Sequence, residues 1–525
     1  MTKETEQEAA GPRALDRRIL MAGLFAVGLI PLLATPVLPL IDFYNHLARF
    51  FVLAHLGSSS VLPAYYQAHW SLLPDIGIDL IGTPLLTFAP PLIAGHIIVV
   101  GIFAVLFGGV LYLNRVLTGQ RSLLVAALLL PLLYSYILNW GFANFLLGLG
   151  LSFWAAGWWL SHRDRPRLAV PVSCLFSIAI FLTHGIAFVL YGILVASLEI
   201  GLFANAPNRK SRDLVRALFL VGIQAFIPVA FFLYWIATNG HEDAIASAAA
   251  LVAHGVRPPA RGELGERILR RLVPILRVEE GPAYWFDIAT FAVQALALFF
   301  LMARGRIALV KPAWPLMVAA IATVVIGMPV IFGTGYITDR MPLFAALCLL
   351  SALSLRRARW TTASRIACGI LVATVCLRLA VTAFSWHAYG QSYREYRSLA
   401  AMIPRGSMVI GVPVGSFYHE TDVPRCEMYG PLLIAQYDQA GPLFGQKNQH
   451  PLLLAGSLKA AADTLRVSFA LDNITDYKGY IAAAASLGFS HVLICNTQLL
   501  TQPFPQNVTL VARTAHFALL RAKSS

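Results

Sequence analysis

Residues 19–49 read ILMAGLFAVGLIPLLATPVLPLIDFYNHLAR, an apolar run that carries no charge as far as Ile41 and is followed at once by polar residues. A bilayer whose hydrocarbon core is about 30 Å thick needs roughly 20 apolar residues of helix to cross it. The run from Ile19 to Ile41 therefore predicts a membrane-spanning helix. Runs of the same kind recur along the chain, which predicts a polytopic α-helical membrane protein.

The composition agrees with this class. Of the 525 residues, 58% are apolar and 13% are charged, whereas an ordinary soluble domain has roughly 45–50% and about 25%. In a soluble protein, the net charge of +14 would suggest a nucleic-acid partner. Here Lys and Arg lie in short clusters between the apolar runs, which is typical of membrane topology. The composition therefore excludes a soluble enzyme and argues against nucleic-acid binding.

The apolar runs predict eleven membrane spans. They lie near residues 19–41, 91–113, 122–138, 141–160, 168–182, 185–203, 214–237, 285–303, 313–332, 341–355 and 366–386. With the N-terminus inside, twenty Lys and Arg residues lie on the cytoplasmic side. Apart from the loop 238–284 and the tail, the outer segments contain only Arg49 and Arg340. The positive-inside rule then predicts an odd number of spans and an outer C-terminus. A single helix over 168–203 would reverse every later loop, so we divide that run at Thr183–Gly185.

These spans define the predicted domains. Residues 1–18 form a cytoplasmic arm, and residues 19–386 form the transmembrane domain. Two large loops, 42–90 and 238–284, face outward, and so does the tail, residues 387–525.

The tail changes from long apolar runs to shorter patterns. SMVIGVPV (Ser407–Val414) and HVLICN (His491–Asn496) predict buried strands, and YIAAAASLGF (Tyr480–Phe489) predicts a helix. VTLVAR and HFALLRA predict a terminal hairpin. We therefore expect a small extracytoplasmic α/β domain, in which Cys426 and Cys495 pair if the compartment is oxidising.

The densest set of polar residues directly follows the first span. PLIDFYNHLAR places Asp42, Asn45, His46 and Arg49 at i, i+3, i+4 and i+7, on one face of a helix. That helix is expected to lie along the outer membrane surface. Polar residues at the edge of a membrane are costly and are therefore functional candidates. The alternative is an interfacial amphipathic helix whose polar face only meets water.

A pair of carboxylates lies later in the same loop. LPDIGIDL places Asp75 and Asp79 four residues apart, shortly before the second span. Like charges at this spacing repel on an exposed helix, so they suggest a counter-ion: a metal ion, an arginine or a cationic group of a substrate. Alternatively, Asp75 caps the helix that contains Asp79.

Further polar candidates lie at predicted membrane depth or at outer turns. They are Asn139 and Asn144 of NWGFANF, His184 of THG, Tyr336, Asp339 and Arg340 of GTGYITDR, and Arg378 in the last span. The alternatives are structural: turn formation for the asparagines, an interhelical hydrogen bond for His184 and snorkelling for Arg340.

The chain contains no P-loop, dinucleotide fingerprint, HExxH or GxSxG motif. Chemistry is therefore expected on the outer side, with a substrate that reaches it most simply on a lipid. An acidic residue just past the first span, in a large outer loop followed by many spans and an outer C-terminal domain, resembles the glycosyltransferase-C (GT-C) superfamily. The IDFYNHLAR and NWGFANF stretches resemble bacterial multi-span proteins of that group. Asp42 matches the leading carboxylate of the family's first-loop signature, although Phe43 stands where a second acidic residue is usual.

The resemblance implies a glycosyltransferase in the inner (plasma) membrane with a periplasmic C-terminal domain. It would move a sugar from a polyprenyl-phosphate donor to a lipid or polysaccharide acceptor, with inversion of the anomeric centre. Asp42 would be the base, and His46 would orient it or relay its proton. Arg340, with Arg49 or Arg378, would bind the departing phosphate.

The remaining roles stay open at this point. Asp75 and Asp79 would bind sugar hydroxyls or a divalent metal ion, and the periplasmic domain would bind the acceptor or close the site. A transporter or flippase of lipid-linked cargo would share the spans, but internal repeats would then be expected. A non-catalytic membrane assembly protein that acts through its tail would not need the first-loop cluster.

Overall fold

The computed structural model describes most of the chain. The described residues are 12–71, 74–208, 210–253, 271–326, 335–356, 360–414, 426–443, 450–465, 477–500 and 503–523, with the backbone alone for 12–15 and 238–253. Within these ranges the chain is mainly helical, and seven helices are long and apolar enough to cross a membrane. These are the features of a helical membrane protein, as the composition predicted.

The helices are numbered in chain order. As far as Thr183 they are α1 (Pro12–Gly28), α2 (Ile30–Leu33), α3 (Phe43–His55), α4 (Gly77–Leu86), α5 (Pro91–Thr118), α6 (Leu123–Leu133), α7 (Tyr136–Asn139), α8 (Ala143–His162) and α9 (Pro166–Thr183). From Gly185 onward they are α10 (Gly185–Asn205), α11 (Ser211–Ala253), α12 (Tyr284–Ala303), α13 (Trp314–Ile326), α14 (Ile337–Ala352), α15 (Thr362–Ala400), α16 (Tyr429–Tyr437), α17 (Gly456–Leu465) and α18 (Tyr477–Ser486).

The strands of the described residues are short. They are β1 (Tyr66–Ala68), β2 (Ile307–Leu309), β3 (Leu353–Leu355), β4 (Val409–Pro413), β5 (Leu452–Leu454), β6 (His491–Cys495), β7 (Val508–Arg513) and β8 (Phe517–Ala522). β1 pairs with β5 and β2 with β3, both antiparallel. The other four form a sheet of order β4–β6–β8–β7, in which β4 and β6 run parallel.

Seven of the predicted spans coincide with the long apolar helices α5, α8, α9, α10, α11, α12 and α15. The division of the run 168–203 is confirmed, because α9 ends at Thr183 and α10 begins at Gly185. The predicted strands of the tail, its helix and its terminal hairpin are also present, as β4, β6, α18 and the β7–β8 pair.

The other four apolar runs are not among the seven long helices of the described residues. They are 19–41, 122–138, 313–332 and 341–355, of which residues 327–332 lie outside the described residues. In the first run α2 ends at Leu33, and residues 34–41 are not helical. Pro36 and Pro39 lie in that segment, and a proline inside a helix removes a hydrogen bond and clashes with the preceding turn. Most of the predicted loop 238–284 also lies outside the residues whose side chains are described.

The chain divides into two compact units. Unit 1 comprises Met1–Leu33, Val100–Leu138 and Asn144–Ala383, and unit 2 comprises Ala34–Val99, Asn139–Ala143 and Phe384–Ser525. Most of the first predicted outer loop therefore belongs to the same unit as the tail.

In unit 1, a buried amide holds the C-terminal end of α14. Asn114 of α5 donates from Nδ2 to the carbonyl oxygens of Leu350, Ser351 and Leu353, at 3.3, 3.0 and 2.9 Å. The N–H of Leu353 donates to the carbonyl of Leu350 as α14 ends, and the amide of Asn114 adds a hydrogen bond to each of the three carbonyls. The amide therefore fixes one end of the helix that carries Arg340 at its other end.

The hydrophobic core of unit 2 contains residues from both the first loop and the tail. Ala48 and Val52 of α3 lie in one buried cluster with Ile410 of β4 and Ile494 of β6. Tyr66 of β1 belongs to the same cluster, and its hydroxyl donates to the carbonyl of Gly441 at 2.6 Å. The two segments therefore form one core.

A disulfide bond closes unit 2 near α3. Cys426 and Cys495 are joined, with their Cα atoms 5.5 Å apart, which confirms the pairing considered from the sequence. Cys426 begins a short 3₁₀ turn that leads directly into α16, and Cys495 ends β6. Helix α16 packs on both α3 and β4. The disulfide therefore anchors a helix that supports α3.

Candidate functional site

The first-loop cluster begins where α3 begins. Asp42 occupies the N-cap position of α3, and its side chain is half-buried. Its backbone N–H donates to the carbonyl of Trp140 at 2.8 Å, and the N–H of Ile41 donates to the carbonyl of Asn139 at 3.1 Å. The turn of NWGFANF therefore holds two successive backbone N–H groups at the start of α3.

Gly141 makes this close approach possible. It has a φ of +83°, a conformation that favours glycine. A Cβ atom at this position would overlap the backbone nitrogen of Phe43 and come within 2.9 Å of the backbone nitrogen of Asp42. Asn139 was predicted to form a turn, and it contributes its carbonyl oxygen to this contact.

Two turns beyond Asp42 along α3, Arg49 forms a fully buried ion pair with Asp79 of α4. Its Nε donates to Oδ1 at 2.6 Å, and its Nη2 donates to Oδ2 at 3.0 Å. Both side chains have no exposed surface. The sequence suggested a metal ion, an arginine or a cationic substrate group as the counter-ion of Asp79, and in the structure this counter-ion is Arg49.

The same guanidinium determines which ring nitrogen of His46 carries the proton. Nη2 of Arg49 lies 2.8 Å from Nδ1 of His46, as expected for residues three apart on one helical face. A guanidinium only donates hydrogen bonds, so Nδ1 accepts and the proton of the neutral ring lies on Nε2. Burial, and then the charge of Arg49, lower the pKa of His46 well below its ordinary value. His46 is therefore a neutral imidazole that presents an N–H at Nε2.

The tail contributes a second histidine, which the sequence reasoning missed. His450 precedes β5, and the N–H of His69 donates to the carbonyl of Pro451 at 2.7 Å as the β1–β5 pairing ends. Burial lowers the pKa of His450 well below its ordinary value, and the charge of Arg49 acts in the same direction. No local pattern reveals this residue, because its position depends on a pairing between distant segments.

Asp75 does not share a helix with Asp79. α4 begins at Gly77, and Asp75 lies before it with a φ of +73°. The expected repulsion between carboxylates four apart on one helix therefore does not arise, and Ile76 occupies the N-cap position instead of Asp75. Among the described residues, no three His, Cys, Asp or Glu side chains come together as metal ligands. Within the described ranges, Asp75 and Asp79 are thus not joined by the further ligands that a divalent metal centre needs.

In unit 1, His184 and Arg340 form a second polar contact. Nδ1 of His184 accepts a hydrogen bond from the N–H of Ile186 at 3.1 Å and so caps α10. Nη1 of Arg340 lies 2.5 Å from Nε2 of His184, and its guanidinium lies 5.2 Å from the ring centroid of Phe145. The side chain of Arg340 thus contacts the imidazole of His184 and the face of the Phe145 ring.

Further charged groups lie near Arg340. Asp339 is within electrostatic reach of Arg277, Arg340 and Glu280. Arg277 is itself paired with Glu280. Tyr336 precedes α14 with a left-handed backbone, and Asn144 is buried near the beginning of α8.

Arg378 is engaged by a buried pair of carboxylates. Its Nε lies 3.2 Å from Oε2 of Glu279, and its Nη1 lies 3.1 Å from Oδ1 of Asp287. Nη1 also donates to Oγ1 of Thr290 at 2.6 Å, and Nη2 donates to the carbonyl of Glu279. These contacts neutralise the guanidinium, which favours a structural role over phosphate binding. The adjacent acidic residues of RVEE, before the span, were the available signal for this partner.

The predicted site residues are thus distributed over both units. Asp42, His46, Arg49, Asp75, Asp79 and Asn139 belong to unit 2, and Asn144, His184, Tyr336, Asp339, Arg340 and Arg378 belong to unit 1.

No protein-family model matches the chain, and neither does any curated protein sequence.

Proposed function

We propose that the protein is a membrane glycosyltransferase of the GT-C type. It transfers a sugar from a polyprenyl-phosphate donor to a lipid or polysaccharide acceptor on the outer side of the membrane, with inversion at C1. The observation that carries this proposal is the cluster at the start of α3, where a half-buried carboxylate lies one turn from an imidazole and two turns from the guanidinium that contacts this imidazole.

Asp42 is the proposed base. Transfer from a phosphate-linked donor requires a group that takes the proton of the acceptor hydroxyl as C1 is attacked. Asp79 is neutralised by Arg49, and His46 carries its proton on Nε2, so neither is suited to accept one. Asp42 is better placed than either, since its backbone is held by the turn at Trp140 and its side chain is half-buried. The protonation of His46 favours orienting a substrate or Asp42 over relaying a proton.

Arg340 is the proposed ligand of the departing phosphate. The leaving group gains negative charge as the C1–O bond breaks, and a nearby guanidinium stabilises that charge. Arg49 and Arg378 are both paired with buried carboxylates, so we assign structural roles to them. The role of phosphate ligand then falls to Arg340, the arginine that the family resemblance places first at the phosphate.

The proposed topology has eleven spans, with the N-terminus in the cytoplasm and the tail outside. Two features support it. The first loop and the tail share one hydrophobic core, which requires that both lie on the same side of the membrane. The bond between Cys426 and Cys495 is of a kind that persists in oxidising compartments.

The test compares wild type with Asp42→Asn in membranes supplied with radiolabelled polyprenyl-phosphate sugars. The substitution keeps the size of the side chain and removes the base. We expect transfer to fall by roughly 100-fold or more, since general base catalysis contributes at least that much. The matched control is Asp463→Asn, which removes an exposed carboxylate from α17 in the same unit and should leave transfer unchanged.

Two results would count against the proposal. Equal transfer by wild type and Asp42→Asn would refute the role of Asp42. If wild type, purified in folded form, transfers none of the sugars offered, transport of the same lipids becomes the function to measure.

A further inference from the structure

Helix α4 has two faces of different character. The inner face is buried and includes Asp79, which holds Arg49, and Gly82. A Cβ atom at Gly82 would overlap the ring of Phe50, so α4 packs closely against α3 at this point. The inner face is therefore fully occupied by protein.

The outer face is apolar and exposed. Leu80 and Ile81 are 49% and 51% exposed, and Phe88, just beyond the helix, is 77% exposed. No charged residue occurs between Leu80 and the first turns of α5. Monomeric soluble proteins rarely expose contiguous apolar surface of this kind, so this face indicates a partner.

The neighbouring helix indicates what that partner is. α5 begins at Pro91, is apolar and is long enough to cross a membrane. In its first turns Ile93 and Ile97 are 56% and 50% exposed, and both belong to unit 2, as α4 does. The exposed face of α4 is thus continued by exposed apolar residues of a membrane-spanning helix. A protein partner would not require this continuity, whereas lipid does.

We propose that α4 lies in the outer surface of the bilayer, with Leu80, Ile81 and Phe88 among the lipid acyl chains. Its ten residues extend about 15 Å, half the thickness of the hydrocarbon core, so it lies in the membrane without crossing it. All of its charge is carried by Asp79, which faces the protein, so no charged group meets the lipid.

This assignment concerns a different helix from the one expected on the membrane surface. α3 was expected there with its apolar residues toward lipid or protein, and Phe43, Leu47 and Phe50 are buried in protein. α4 takes that position, and the Arg49–Asp79 pair lies on its inner side. The pair is thereby separated from lipid by about one helix diameter, roughly 10 Å. The inference does not depend on the proposed transfer reaction.

The test measures the accessibility of nitroxide spin labels in the full chain reconstituted in phosphatidylcholine–phosphatidylglycerol nanodiscs. Labels are introduced as Ile81→Cys and Phe88→Cys, after the free cysteines 174, 348, 368 and 376 are replaced by alanine and with the disulfide retained. The control is Lys459→Cys on α17, also a helix of ten residues, where the native side chain is 62% exposed. Collisions with oxygen report lipid, and collisions with a water-soluble nickel chelate report water.

We expect the ratio of oxygen to nickel accessibility at positions 81 and 88 to exceed that at position 459 several-fold. A ratio equal to that of position 459 would mean that α4 faces water, and the proposal would be wrong. Low accessibility to both reagents would mean that protein covers this face, which would overturn the proposal equally. Because the side chains at 81 and 88 are exposed, the labels do not disturb packing within unit 2.

Discussion

Replacing Asp79 by asparagine would remove the negative partner of a guanidinium that has no exposed surface. In the native structure two hydrogen bonds, of 2.6 and 3.0 Å, join the carboxylate of Asp79 to Arg49. After the substitution Arg49 would remain buried with its charge uncompensated. Breaking such a pair from one side costs about 3–5 kcal/mol. We therefore expect Asp79→Asn to destabilise unit 2 by that amount.

The measurement is thermal unfolding of the purified protein in nanodiscs. For a domain of the size of unit 2, a loss of 1 kcal/mol lowers Tm by roughly 2–4 °C, so we expect a fall of roughly 6–20 °C. The same unit contains a matched control in the pair Lys459–Asp463, which is 3.1 Å apart and mostly exposed. Asp463→Asn should cost less than about 1 kcal/mol, since water already screens that pair.

A double substitution tests whether charge burial is the cause. Arg49→Met with Asp79→Leu removes both charges and fills similar volume, so it should cost less than Asp79→Asn alone. The reasoning would be refuted if Asp79→Asn shifted Tm no more than Asp463→Asn does. It would also be refuted if the destabilisation by the double substitution equalled the sum of the effects of Arg49→Met alone and Asp79→Leu alone.

Two further predictions concern Glu279 and Gly141. Burial, opposed by the charge of Arg378 and reinforced by that of Asp287, raises the pKa of Glu279 to about 7. The folded state then holds this proton more tightly than the unfolded chain does. The protonated carboxyl group of Glu279 therefore gives its full stabilisation below the ordinary carboxyl pKa, and this stabilisation is lost as the pH rises through about 7. The Tm of wild type should fall between about pH 5 and pH 8, and the Tm of Glu279→Gln should fall less over the same range. Identical pH profiles of thermal unfolding for the two proteins would contradict this. Gly141→Ala should lower Tm and, if the transfer activity is found, reduce it, because the added Cβ pushes against the backbone of Asp42 and Phe43. Gly119→Ala is its control, since Gly119 also has a positive φ of +70° but has nothing within 4 Å of its Cβ position; equal effects of the two substitutions would exclude the close approach as the cause.

The sequence by itself determined the features that depend on local pattern. Apolar runs of sufficient length predicted the long helices, and the polar break at His184 divided one of them correctly because its ring caps the following helix. Short apolar runs predicted β4 and β6 in the tail. The spacing of His46 and Arg49 predicted their contact, since residues three apart on a helix lie on one face.

The tertiary structure alone decided which of these residues are neutralised and which surfaces are buried. The pairing of Arg49 with Asp79 depends on the packing of α4 against α3. The spacing of residues along one helix does not indicate a contact between two helices. The position of His450 depends on the pairing of β1 with β5. These strands are far apart in the sequence, and neither has a local pattern that identifies the other as its partner. α3 and α4 both carry apolar residues, and the packing of the tail on α3 leaves the apolar residues Leu80 and Ile81 of α4 exposed instead. Ion pairing and burial are properties of segments brought together from distant parts of the chain, and periodicity describes only neighbours along it.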